Sequence, residues 1–231
     1  MTIEIKICGI TTLEDARAAA ESGADAIGFI FHRPSPRYVS PDSVESIIER
    51  LSIDVATVGV FVNADATAVI DTMTRCHLDL IQLHGSESPE YCRRFPSSRI
   101  IKAVAPRADY DPAELDRYDV QAFLVDTYDP KHYGGTGRHA NWKAASIIAR
   151  SYPLILAGGL TAENLPEAIA SVSPHAVDIN SGVERAPGKK DQVKIKNIIR
   201  KVRKYGTAGD GRRIFCRHTT TNGEHNEATI T

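Results

Sequence analysis

Apolar residues along this chain come in short runs, separated by stretches that carry apolar residues three and four apart. The first run sets the pattern. Ile3, Ile5 and Ile7 alternate with Glu4 and Lys6, the two-residue period of a strand. Gly9 stops it, and Thr12 opens a helix to about residue 22, with Asp15 completing a capping pattern. Residues 24–31 form a nearly continuous apolar run, as for a strand covered on both faces. Ser40-Pro41 then starts a helix with Val44, Ile47, Ile48 and Leu51 on one face. The alternation repeats: strand 57–62 and helix 66–75, then strand 78–83 and a helix capped by Ser88-Pro89. Strand 99–104 precedes a short helix at Asp111-Pro112; strand 122–125 precedes a long loop, 128–139, and a helix over 141–150. Strand 153–156 leads into a helix capped by Thr161, and strand 176–179 into a last helix over 191–205.

Eight strand–helix units in succession predict parallel strands joined by right-handed crossovers. Eight such units close a (β/α)8 TIM barrel, an α/β fold, and the length suits a small one. An open doubly wound sheet fits less well, because no glycine fingerprint follows the first strand. The chain therefore divides into a catalytic barrel, 1–205, and a polar tail, 206–231. That tail, whose one apolar group is Ile214-Phe215, is expected to be poorly ordered and outside the barrel.

Composition narrows the setting. The net charge of -1 offers no electrostatic footprint for nucleic acid or an anionic membrane. Four scattered cysteines (Cys8, Cys76, Cys92, Cys216) with no CxxC pair favour a reduced, cytoplasmic compartment. Glu4 and Lys6 interrupt the first apolar run, so it does not read as a signal peptide, and no run approaches the ~20 residues that span a bilayer.

In such a barrel, chemistry gathers where strands end at their C-terminal side. Those ends are Cys8, the loop carrying Arg37, Asn63, His84, Asp126, Gly158-Gly159 and Asn180-Ser181-Gly182. Glycines after the seventh and eighth strands let backbone N–H groups approach an anion, the usual barrel phosphate site. Closure flanks that site with Cys8 on one side and Asp126 on the other. A thiol serves as base once deprotonated and a carboxyl as acid once desolvated, which suits proton transfer at a sugar. Arg37 could hold a second anion in bidentate fashion or be a solvated surface arginine. His84 could meet ligand or brace a loop. Lys189-Lys190 reads as a solvated helix start. Nothing near His84 has metal-ligand spacing, so no metal is expected.

Lys6-Ile-Cys-Gly-Ile-Thr11, Pro34-Ser-Pro-Arg-Tyr-Val39, Val58-Gly-Val-Phe-Val-Asn63, Gln82-Leu-His-Gly85, Val125-Asp-Thr127, Gly134-Gly-Thr-Gly137, Ala157-Gly-Gly-Leu160 and Val177-Asp-Ile-Asn-Ser-Gly-Val-Glu184 follow one another in order. Together, over about residues 3–204, they resemble the phosphoribosylanthranilate isomerases of tryptophan biosynthesis. The resemblance implies a cofactor-free barrel that carries out an Amadori rearrangement. It implies Asp126 as general acid and Cys8 as general base. It further implies Arg37 on the substrate carboxylate, Gly158, Gly159, Ser181 and Gly182 on the phosphate, Asp178 on a sugar hydroxyl, and Gly135 in a loop closing over the substrate. Asn180 departs from the family, where serine is frequent, and the tail runs past its usual end. A related aminoimidazole sugar isomerase and a silent phosphate-binding barrel are the alternatives. The expected partner is a small phosphorylated substrate, with the chain a monomer or homodimer.

Overall fold

The computed structural model describes residues 2–106, 110–126, 141–205 and 213–217. Eight parallel strands close a barrel in chain order: β1 (Glu4–Ile7), β2 (Ala26–Ile30), β3 (Ala56–Phe61), β4 (Leu80–Leu83), β5 (Ile100–Val104), β6 (Ala122–Val125), β7 (Leu154–Leu156) and β8 (Ala176–Ile179). Closure is direct, with Glu4 opposite Ala176 and Ile7 opposite Ile179 in the β1–β8 register. Helices α1 (Leu13–Glu21), α2 (Pro41–Glu49), α3 (Ala66–Arg75), α4 (Pro89–Cys92), α5 (Trp142–Ala149), α6 (Leu165–Val172) and α7 (Gln192–Val202) lie between and after the strands. The expected (β/α)8 fold is therefore the observed one.

Local chemistry sets the helix starts. Thr12 accepts from the Asp15 N–H, Ser40 from that of Ser43, Ser88 from that of Tyr91, and Asp191 from those of Val193 and Lys194. Each satisfies an N–H that the first helical turn leaves unpaired. Two crossovers are slight: α4 is a single turn, and the fifth, expected to be a short helix from Asp111-Pro112, is a 3-10 segment, Pro112–Arg117. Helix α6 starts at Leu165, and Thr161 does not cap it as expected. Thr161 and Asn164 form a turn of their own, with the Asn164 Oδ1 accepting from the Thr161 N–H at 2.8 Å.

Alternate strand residues serve two cores. Ile3, Ile5 and Ile7 pack outward under the helices. Ala26, Val58, Leu80, Ile101, Leu124 and Ile155 fill the interior. Glu4, Lys6 and Cys8 share the inward parity, so the polar half of the first strand points into the barrel, where Lys6 is fully buried.

Two expectations fail here. Ile214 and Phe215 are buried in that same interior, under the N-terminal end of the strands. The Ile214 N–H donates to Glu4 Oε2 at 2.6 Å, and Gln121 Nε2 donates to the Arg213 carbonyl. Residues 213–217 are thus a plug and do not lie outside the barrel. A small barrel with alanines on its inner face leaves a floor that an aromatic ring can fill. Residues 206–212 and 218–231 lie outside the described residues, so the order expected of them does too. The second failure is Lys190. It is buried on a short hairpin, β9 (Glu184–Ala186) with β10 (Lys189–Lys190), because Glu184 and Asn180 receive its ammonium.

Candidate active site

The C-terminal ends of the strands converge on one cleft of about 240 Å³. Cys8 stands on its floor, just beyond β1, and is nearly fully buried. Its neighbour of the same parity, Lys6, donates to Asp178 Oδ2 on β8 at 2.9 Å and to Gln82 Oε1 on β4 at 2.9 Å. Room for both comes from Gly28 on β2. A Cβ there would lie 2.9 Å from Cys8 Sγ and 2.9 Å from Lys6 Cε.

Burial, and then the Asp178 charge, push the Cys8 thiol up from its ordinary value; Lys6 and Lys190 pull it down, and burial wins. For Lys6, burial opposes the charge, but Asp178 and the thiol more than offset it, so its pKa is raised and it stays an ammonium. Asp178 Oδ1 is buried in the cleft with no hydrogen-bond partner among the described residues. Such an orphan acceptor wants a donor from a ligand.

Across the cleft from Cys8, Asp126 follows β6. His84 Nε2 lies 3.3 Å from Asp126 Oδ2, and His84 Nδ1 lies 2.6 Å from Gln82 Nε2. The β7 and β8 ends sit between Cys8 and Asp126 around the barrel. Gly158 and Gly159 have φ of +84° and +64°, a backbone that side chains resist. A Cβ on Gly182 would fall 2.0 Å from the Leu160 carbonyl, so the two loops pack backbone to backbone. Ser181 begins a 3-10 turn, Ser181–Val183, and lines the cleft with Asn180.

Arg37 also lines the cleft, yet it is not the solvated arginine of one sequence reading. Its Nε and Nη2 donate to Glu184 at 2.9 and 2.7 Å in a buried fork. Burial would raise the Glu184 carboxyl, but Arg37 and Lys190 outweigh it and hold the pKa below the usual carboxylate value.

The sequence model for N-(5′-phosphoribosyl)anthranilate isomerase matches residues 5–201. The chain belongs to the N-(5′-phosphoribosyl)anthranilate isomerase family. Relatives of that name in Syntrophus aciditrophicus and Geobacter sulfurreducens are 54% and 50% identical, over 87% of this chain and 88% and 98% of theirs. The phosphoribosylanthranilate isomerase of Thermus thermophilus superposes with a TM-score of 0.78 at 37% identity, covering 87% of this chain and 98% of that one. A further isomerase structure, 37% identical and with a TM-score of 0.74 over 88% of this chain and all of its own, is a complex with reduced 1-(o-carboxyphenylamino)-1-deoxyribulose 5-phosphate. Another structure, at 36% identity and a TM-score of 0.74 over 88% of this chain and 100% of its own, is of monomers generated from the dimeric phosphoribosylanthranilate isomerase of Thermotoga maritima. The chain is thus an isomerase of tryptophan biosynthesis.

Within this family frame, the fold brings together Cys8, Arg37, His84, Asp126, Gly158, Gly159, Asp178 and Ser181, all lining one cleft, with Gly182 directly behind. Gly135 and the loop around it lie outside the described residues. The sequence alone gives no site role to Lys6, Gln82 or Glu184, and reads Lys190 as solvated. A signal existed for two of them: Lys6 shares the inward parity of Cys8, and Gln82 shares that of His84. Among the described residues no group of three or more His, Cys, Asp or Glu is placed to hold a metal, and no helix is long and apolar enough to cross a membrane.

Proposed function

We propose that this chain converts N-(5′-phosphoribosyl)anthranilate to 1-(2-carboxyphenylamino)-1-deoxyribulose 5-phosphate, with Asp126 as general acid and Cys8 as general base. One observation carries the reading: a thiol and a carboxyl face the same cleft from β1 and β6, and the glycine-bearing ends of β7 and β8 lie between them.

The phosphate lies against the backbone of Gly158, Gly159, Ser181 and Gly182, leaving the ribose between acid and base. Asp126 donates its proton to the furanose ring oxygen. The C1–O bond breaks, its electron pair stays on oxygen, and the anilino nitrogen lone pair forms the iminium. The Cys8 thiolate then takes the C2 proton, and the C2–H electrons flow to the nitrogen to give an enolamine. Ketonisation delivers the product. Asp178 Oδ1, the orphan acceptor, receives a sugar hydroxyl. Arg37 turns Nη1 to the anthranilate carboxylate while Glu184 holds the rest of its fork. A base that must stay a free thiol suits the cytoplasm.

The test uses freshly prepared substrate and the loss of its fluorescence above the spontaneous rate, with the product identified. Cys8→Ser and Asp126→Asn each fold but lose turnover by about two orders of magnitude or more. Near-normal turnover in either variant removes that residue from the mechanism. No acceleration by the wild type, with turnover of an aminoimidazole ribotide instead, overturns the substrate.

A further inference from the structure

Four side chains lie in line between the two sides of the reaction centre. Lys6 Nζ contacts Gln82 Oε1 at 2.9 Å, Gln82 Nε2 contacts His84 Nδ1 at 2.6 Å, and His84 Nε2 approaches Asp126 Oδ2 at 3.3 Å. The proposed mechanism assigns work only to the last of them. The chain nevertheless has a direction that chemistry fixes. An ammonium has donors and no acceptor, so the atom of Gln82 facing Lys6 must be its oxygen. The Gln82 amide then presents N–H to His84, so His84 Nδ1 must be the acceptor. The neutral ring therefore carries its hydrogen on Nε2 and presents it to Asp126.

We propose that Lys6 and Gln82 are positioning residues for the isomerisation: the Lys6 ammonium sets the polarity of a hydrogen-bond chain that fixes His84 as its Nε2–H tautomer against Asp126. The inference rests on the proposed acid role of Asp126. An N–H turned toward Asp126 Oδ2 disfavours a proton on that oxygen and so biases the proton for the substrate toward Oδ1. A Cβ at Gly28 would lie 2.9 Å from Cys8 Sγ and 3.1 Å from Lys6 Nζ, so one buried cation borders the base and, through two side chains, orients the acid.

The arrangement is built into the barrel and is no accident of flexible side chains. Lys6 is fully buried, and Gln82 is 1% exposed. Gly28 leaves the volume that the Lys6 stem fills. Asp178 takes a second Lys6 N–H, fixing the ammonium from the opposite side.

The discriminating variant is Gln82→Glu. It keeps size and gives Lys6 a stronger acceptor, but it removes the donor facing His84. His84 Nδ1 must then hold a proton, and the chain reverses. Two readouts separate this from mere structural damage. The first is the 15N chemical shifts of His84 in the full-length, ligand-free protein. The wild type is expected to show the neutral Nε2–H pattern and Gln82→Glu an Nδ1-protonated ring. The second is the split of kcat against KM. Gln82→Glu is expected to lower kcat by roughly ten- to a few hundredfold, less than removal of the acid itself, because the carboxyl is misdirected and not lost, with KM within about threefold. Gln82→Met, which removes donor and acceptor alike, is expected to release the tautomer to a mixture and lower kcat similarly. A wild-type His84 protonated on Nδ1 overturns the proposal. So does a Gln82→Glu enzyme within about twofold of wild-type kcat. The acid assignment fails separately: if Asp126→Asn keeps full turnover while the His84 shifts are as expected, the chain exists and the role of Asp126 is what falls.

Discussion

Replacing Phe215 with alanine tests whether the plug under the barrel is part of the folded molecule in solution. The ring is 1% exposed, its neighbour Ile214 is fully buried, and both lie among inward residues of several strands. A buried phenylalanine truncated to alanine costs about 3–5 kcal/mol when its surroundings cannot collapse. Here the segment is held by its ends and by Glu4, so it can also leave, and the loss is capped at the free energy of docking. The lower figure, about 3 kcal/mol, is the expectation. For a chain of this size it corresponds to a fall in Tm of roughly 6–12 °C. Activity should not follow. Glu4, which grips the plug, precedes Cys8 by four residues, so the reacting end lies about 13 Å up the strand at ~3.3 Å per residue. The assay is thermal unfolding by circular dichroism beside kcat/KM at 25 °C. A Tm change under about 2 °C refutes docking. A loss of kcat/KM with an unchanged Tm refutes the separation of a stabilising floor from a catalytic mouth.

Three further outcomes follow from the same geometry. If Cys8 is the base, as proposed, its active form is the thiolate, and its pKa is raised, so kcat/KM should climb with pH and level only above the ordinary thiol value of 9.0; a plateau reached by neutral pH in a steady-state pH profile contradicts the base assignment. Gly28→Ala drives a methyl against Cys8 Sγ and Lys6 Cε, and should lower kcat at least about tenfold while costing about 1–3 kcal/mol in denaturant unfolding; unchanged kinetics would mean the floor is looser than these contacts. Burial raises the Glu4 carboxyl above 4.5, with the Ile214 and Phe215 N–H groups opposing. A raised folded pKa contributes stability below the unfolded value that is lost as pH rises through the folded one. Glu4→Gln should therefore gain Tm relative to wild type between acid and neutral pH, and a gap that stays flat refutes the shift.

How much of this could be read in the sequence depended on the range of the interaction that decides each feature. Strand and helix periods are local, and so are caps such as Thr12 and Ser40, so the eight units and their order were legible. The cleft was legible because closure of a barrel places strand ends by topology alone. What stayed hidden was decided by partners far away in the chain. The alternation of Ile3, Glu4, Ile5, Lys6 and Ile7 states that two faces differ, but not which face is wet. In a barrel the polar set turned inward, because Asp178, 172 residues on, and Gln82, 76 residues on, receive Lys6. Lys190 looked solvated for the same reason: its acceptors on Asn180 and Glu184 come within reach only through the hairpin. Two apolar residues in a polar tail carry no periodic signal, and the floor that Ile214 and Phe215 fill is assembled from the whole sheet. Asn180 gains its reason only with Lys190, to which its Oδ1 is bonded at 3.0 Å.

The buried ammonium in the barrel argues for function on energetic grounds. Its desolvation is offset by Asp178, Gln82 and the thiol, yet a neutral pair of similar volume commonly matches or exceeds the stability of a buried ion pair, by up to about 4 kcal/mol. A barrel selected for packing alone would fill Lys6 and Asp178 with apolar or amide groups. The test separates the two demands. Lys6→Met alone strands the Asp178 carboxylate and should cost about 3–5 kcal/mol. Lys6→Met with Asp178→Asn removes both charges and should recover most or all of that loss in denaturant unfolding. Turnover should not recover with it, because the cation beside Cys8, the donor that orients Gln82 and the carboxylate proposed to receive a sugar hydroxyl are all gone. A double variant that regains stability and turnover together would show that this ion pair is structural and that the chemistry does not draw on it.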